Sequence, residues 1–103
     1  MSSVFLAVSA RTDLLEIWSF IAEESFDAAD HVMDLIEKES QTLALQPFMG
    51  RERPELSAGI RCWPTSSSYN LYYIPSEDGI TGIAAQCQLL FFTAHPVFQK
   101  PAF

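Results

Sequence analysis

The spacing of apolar residues changes character along the chain. Val4 to Val8 form a short apolar run rich in β-formers, which predicts a first strand over residues 4–8. Leu14, Ile17, Trp18 and Ile21 then recur at i, i+3, i+4 and i+7, which places them on one face of an amphipathic helix over residues 13–24. This face should pack into the core and carry Trp18 with it. Asp13 and Glu16 fall near the expected helix start, where the helix dipole favours negative charge. Ser25 is a suitable N-cap for a second helix. Ala28, Val32, Leu35, Ile36 and Leu43 keep helical spacing as far as about Leu45, and Pro47 then blocks the backbone ladder. Two helices joined by a few residues predict an antiparallel hairpin.

Beyond Pro47 the helical period disappears. Residues 49–59 read as a loop, with Gly50, Pro54 and Gly59. Residues 61–64 predict a strand ending at Pro64, and the small hydroxyl residues 65–68 predict a turn. Residues 70–74 are aromatic and β-branched and predict another strand. Within it Tyr72 and Tyr73 must face opposite sides of the sheet, which leaves one of them free to be exposed, although the structural reading is favoured for both. The run "PSEDG" at residues 75–79 is a turn, and a further strand should begin at Ile80. Gly82, Ala84 and Ala85 weaken that strand at its start, and residues 88–93 are mostly bulky apolar residues without alternation. The order strand, two helices, then a meander of strands predicts an α+β fold, with the hairpin on a curved antiparallel sheet.

With 103 residues, the chain is expected to form one domain over residues 1–103. An apolar share of 49% with 18% charged residues indicates a folded core rather than disorder. No apolar stretch approaches the ~18 residues that would span a bilayer. The N-terminal segment lacks a basic n-region and leads into acidic helical sequence, so no signal peptide and a cytoplasmic location are expected. Cys62 and Cys87 have no zinc-like spacing and read as reduced structural cysteines.

The formal net charge of −7 is unevenly placed. Between Asp13 and Glu39 only Lys38 opposes a long series of carboxylates. Asp27, Asp30 and Asp34 fall on one solvated helix face, and His31 points elsewhere, so no metal site is expected there. Arg51, Arg53 and Arg61 then gather against only Glu52 and Glu55. A phosphate-driven nucleic-acid binder needs a broad basic surface, and direct nucleic-acid binding is not expected.

Several segments, taken in order, resemble a known family. They are "DLLEIWSFIAEES" at residues 13–25, "AADHVMDLIEKE" at 28–39, "PFMGRERPEL" at 47–56, "GIRCWP" at 59–64 and "YNLYYIPSEDGI" at 69–80. Each is weak alone. In this order and near-usual spacing they resemble ParE-type toxins (plasmid stabilization proteins) of the RelE/ParE toxin–antitoxin superfamily. The resemblance implies a small bacterial toxin held inactive by a cognate antitoxin that wraps its surface. ParE-type members inhibit DNA gyrase by binding, whereas RelE-type members cut messenger RNA on the ribosome.

This chain departs from the pattern in two places. Ala7-Val8 stands where the family has Ser-Pro before the first helix, with Ser9 as a substitute cap. After Ile80 the closing pattern fades: Ala84 replaces an expected Arg, Cys87 an expected His, and Leu90-Phe91 an Arg-Asp pair. Residues 81–103 therefore read as a divergent tail, either frameshifted near Ile80 or strongly diverged. Translation of the neighbouring reading frame separates these two origins, since recovery of an R-V-x-H-like ending is required of a frameshift.

The candidate contact residues for target or antitoxin are Arg51, Arg53, Arg61 and Tyr72. For Arg51 and Arg53 the competing reading is that a guanidinium caps the carbonyls ending the second helix or pairs with its acidic face. For Arg61 the structural reading is favoured, as an edge-strand charge. Metal-free ribonuclease chemistry needs a base, an acid and cations around the phosphate. The last third of the chain offers only His95 and Lys100 as ionisable cations, and pairing of His95 with Cys62 or Cys87 carries no local signature. The expectation is a ParE-like binding inhibitor without a catalytic residue or cofactor, partnered by an antitoxin and by gyrase. The alternatives are a RelE-like endonuclease and a degenerate relic that retains only antitoxin binding, the latter suggested by the apolar run "LLFF" at residues 89–92.

Overall fold

The computed structural model describes residues 3–87, so the apolar run at 89–92, His95 and Lys100 lie outside the described residues. The element order is β1 (Ser3–Leu6), α1 (Val8–Ala22), α2 (Phe26–Leu45), β2 (Arg51–Glu52), β3 (Arg61–Pro64), β4 (Tyr69–Ser76) and β5 (Gly79–Cys87). The strands form one sheet in the order β1-β5-β4-β3-β2. It is antiparallel except at one edge, where β1 runs parallel to β5 with Val4 opposite Ile80.

The second helix begins and ends where the sequence places it. The Ser25 hydroxyl accepts from the Ala28 amide at 3.1 Å, and the helix stops at Leu45, two residues before Pro47. The first helix differs. It starts at Val8 rather than at residue 13, so the first strand is correspondingly shorter. Ala7 stands at its N-cap without a side-chain cap. Contacts with β5 replace the missing cap signal. The Ala7 amide donates to the Gly82 carbonyl at 2.9 Å, and the Ser9 hydroxyl donates to Ile83 at 2.6 Å. One turn on, the buried Asp13 carboxylate accepts from the Ala85 amide at 3.1 Å. Asp13 is thus a mid-helix tie to the sheet rather than a dipole-compensating residue at a helix start.

β4 and β5 are joined through Glu77 and Asp78, with Ser76 opposite Gly79. Gly79 has φ +144°, and a Cβ there would overlap the Ser3 carbonyl, so only glycine fits beneath β1. The register shifts between Tyr72 and Tyr73, a bulge in the middle of the sheet.

One sheet face receives the hairpin. Leu71, Tyr73 and Ile80 pack with Leu43 and Ala44 of α2, joined by the partly buried Val4 and Trp63. Glu39 of α2 fixes the docking, accepting from Trp63 Nε1 at 2.8 Å and from the Ser66 amide at 2.9 Å. The opposite face carries Cys62, Tyr72 and Ala84, with Leu56 packed over them. Both tyrosines are therefore fully buried, on opposite faces, and neither reaches the surface. Trp18 is only half-buried. Its ring stacks on exposed Phe26, with centroids 5.8 Å apart, and its Nε1 donates to Asp30 at 2.9 Å.

Candidate functional site

The loop from Pro47 into β2 joins the hairpin to the sheet, and two side chains pin its backbone. The Tyr73 hydroxyl donates to the Pro47 carbonyl at 2.7 Å and accepts from the Gly50 amide at 2.9 Å. Burial pushes the Tyr73 pKa up, against the Gly50 amide that lowers it, so the phenol stays a donor near neutral pH. Arg61 acts from β3. Its Nη1 donates to the carbonyls of Phe48 at 3.2 Å and Gly50 at 2.6 Å, and its Nη2 lies 3.4 Å from a Glu52 carboxylate oxygen. The same guanidinium sits 4.9 Å from the centre of the Phe48 ring, within cation–π range.

Carbonyl capping after the second helix thus falls to Arg61 rather than to Arg51 or Arg53. The Arg61 side chain is 16% exposed, and its described contacts all lie within this joint. Its part in the fold differs from the edge-strand charge expected of it: β3 lies between β4 and β2, and the guanidinium is turned into the joint.

Arg51 is exposed on the short edge strand β2. It stands opposite Cys62, which stands opposite Tyr72, which stands opposite Ala84. This row runs across the sheet on the face turned away from the helices. Arg53 follows at the end of β2. Its amide donates to the Ile60 carbonyl at 2.9 Å, and its Nε pairs with Glu55 at 2.5 Å. Arg51, Arg53, Cys62 and Tyr72 are thereby brought to one face, while Arg61 joins the hairpin side through its alignment with Tyr73.

The electrostatics of that row argue against acid–base chemistry. Burial pushes the Cys62 thiol up, although Tyr72 and the nearby Arg53 and Arg51 pull it down. Burial, reinforced by Cys62, pushes the Tyr72 hydroxyl up to about 12. Both groups are protonated near neutral pH, so neither supplies a base or an activated nucleophile. Tyr72 lies beneath Leu56 and is fully buried, so a partner reaches it only by displacing that residue. Among the described residues no cluster of three or more His, Cys, Asp or Glu side chains could hold a metal ion. Among them too, no helix is long and apolar enough to cross a membrane.

Sequence reasoning did not anticipate Tyr73 as the anchor of the loop, nor Asp13 and Glu39 as ties between helix and sheet. Alternation gave the available signal for Tyr73: it must share a face with Leu71, and hence with the hairpin.

Comparisons with known proteins agree with this architecture. The family model described as the ParE toxin of the type II toxin–antitoxin system parDE matches residues 4–85. Among solved structures, a chain of the chromosomal ParDE toxin–antitoxin system from P. aeruginosa superposes with a TM-score of 0.69. The two are 17% identical, and the match covers 84% of this chain and 96% of that one. No curated protein matches the sequence. The family match begins in β1, takes in both helices and the pinned loop, and ends in β5: the chain belongs to the ParE toxins of type II toxin–antitoxin systems.

Proposed function

We propose that this protein acts in the cytoplasm as a binding inhibitor of DNA gyrase, and that a cognate antitoxin neutralises it by lying along the hairpin and sheet. The observation that carries this reading is the pinned loop. Tyr73 and Arg61 satisfy the loop carbonyls and the Gly50 amide, which leaves Arg51 exposed on a backbone with little freedom to lose. A preorganised loop binds without the ordering cost that a mobile one incurs. Arg53 sits beside it, paired with the exposed Glu55 and close to the Cys62 thiol.

A RelE-like ribonuclease reading finds less support. It needs a group that can take a proton near neutral pH, and the ionisable pair central to the sheet face, Cys62 and Tyr72, is shifted the wrong way.

The test is induced expression in bacteria, with supercoiling by gyrase and protein synthesis assayed separately. Loss of supercoiling with translation intact is expected. Arrested translation with normal supercoiling would transfer the reading to the RelE class, and unimpaired growth would show an inactive relic.

A further inference from the structure

We propose that the solvent-facing seam between α1 and α2 receives a cationic, amphipathic helical segment, so that the antitoxin region covering the hairpin carries Arg and Lys around an apolar spine. This deepens the antitoxin reading above and rests on it.

The seam is apolar where a helix surface is normally polar. Leu15 lies one helical turn before Trp18 on α1, and Phe26 opens α2. Leu15 is 66% exposed and Phe26 is 67% exposed. Phe26 rests one ring face on Trp18 at an interplanar angle of 12°, which leaves its other side towards solvent. The Trp18 edge is turned outward to Asp30. Large apolar side chains left open next to one another are the usual mark of a docking surface.

Charge selects the occupant. Glu16, Glu23, Glu24, Asp27, Asp30, Asp34 and Glu37 are all exposed along the same hairpin. No Lys or Arg occurs between Asp13 and Glu37. Like charges three and four positions apart oppose helix formation, so the crowding of Asp27, Asp30 and Asp34 is a cost that a bound cation relieves. An exposed aromatic ring next to Asp27, stacked on a tryptophan bonded to Asp30, suits a guanidinium or ammonium group, which gains from the ring quadrupole and the nearby charge together. Exposed apolar side chains on a helical hairpin suit a helix presenting anchors at i, i+3, i+4 and i+7. A second copy of this chain is a poor occupant, because it carries the same net charge of −7 and would bring the same acidic face.

The experiment is selection from a displayed library of helical peptides with a fixed apolar spine and Arg, Lys, Gln or Glu allowed at the flanking positions. The full chain serves as bait. Enrichment of Arg and Lys is expected, and selected peptides should bind several-fold more weakly when NaCl is raised from about 50 to about 300 mM. Phe26→Ala, and separately the pair Asp27→Asn and Asp34→Asn, should each weaken binding about tenfold, with circular dichroism confirming that both variants fold. Enrichment of neutral or acidic helices overturns the proposal. So does binding indifferent to Phe26→Ala, which would reduce the effect to general charge attraction, and so does a homodimer that Phe26→Ala dissociates. A chain that selects cationic helices but leaves gyrase and growth untouched would overturn the gyrase reading and leave this inference standing.

Discussion

The Tyr73 hydroxyl occupies the space that a side chain at position 50 would need. A Cβ on Gly50 would overlap that oxygen and approach Cε1 of the same ring to 2.8 Å. The tyrosine is fully buried and bonded on both sides of the loop, so it has little room to yield. Gly50→Ala should therefore destabilise the protein by about 1–3 kcal/mol, the usual range for overpacking. Tyr73→Phe should cost about 1–3 kcal/mol by leaving the Gly50 amide and the Pro47 carbonyl without their partner. Because both changes act on one contact, the double variant should fall short of the sum. Urea denaturation followed by circular dichroism gives all three values, and strict additivity would refute the coupling.

Asp13 substitutes for a missing strand. β1 covers β5 only as far as Gly82, and past that point α1 lies along the exposed edge. Asp13→Ala leaves the Ala85 amide without its acceptor and should cost about 1–3 kcal/mol. Asp13→Asn keeps an acceptor oxygen and should cost less. Equal losses for the two substitutions, measured as shifts in the urea midpoint, would show that the hydrogen bond is not what matters.

Glu39 links stability to pH. Burial acts to raise its pKa, but hydrogen bonds from Ser66 and Trp63 outweigh it, and the pKa is held below the ordinary value of 4.5. A carboxylate depressed in the folded state contributes stability that is fully present above the unfolded pKa and is lost as pH falls through the folded value. The native chain should therefore lose stability more steeply than Glu39→Gln once the pH drops below 4.5. The difference between the two proteins should be flat from pH 6 to pH 8, as thermal melts across that range would report.

Arg51 and Arg53 separate recognition from folding. Arg51 is exposed; Arg53 is largely covered and lies beside Cys62, but its charge pair is with the exposed Glu55 and is worth roughly 0–1 kcal/mol. The double variant Arg51→Ala, Arg53→Ala should keep its urea midpoint within about 1 kcal/mol of the native chain while losing at least about tenfold in gyrase inhibition, or about 1.4 kcal/mol. Arg61→Ala should do the reverse and lose stability first, because it frees the Phe48 and Gly50 carbonyls. A double variant as unstable as Arg61→Ala would return the loop arginines to a purely structural role.

Local chemistry was legible in the sequence, and it settled the elements that depend on it. Ser25 caps the second helix and Pro47 follows its end because a hydroxyl acceptor and a missing amide act within a few residues of themselves. The alternation through Tyr72 and Tyr73 likewise fixed which strand residues share a face, and the motif order pointed to the family. On the first helix the buried face is Ala10, Asp13 and Ile17, so the stripe through Leu14, Trp18 and Ile21 marked the core side only in part. Contacts between distant segments decided the rest. A four-residue strand carries no signal of direction, and only packing beside β5 made β1 parallel. The first helix starts early because β5 offers its edge to Ala7, Ser9 and Asp13, partners more than 70 residues away in sequence. Arg61 rather than its neighbours caps the loop because strand register places it beside Tyr73, on the hairpin side. Propensity and capping act within a turn or two of chain and are written in the sequence; strand pairing and burial depend on surfaces that exist only once the hairpin has closed over the sheet.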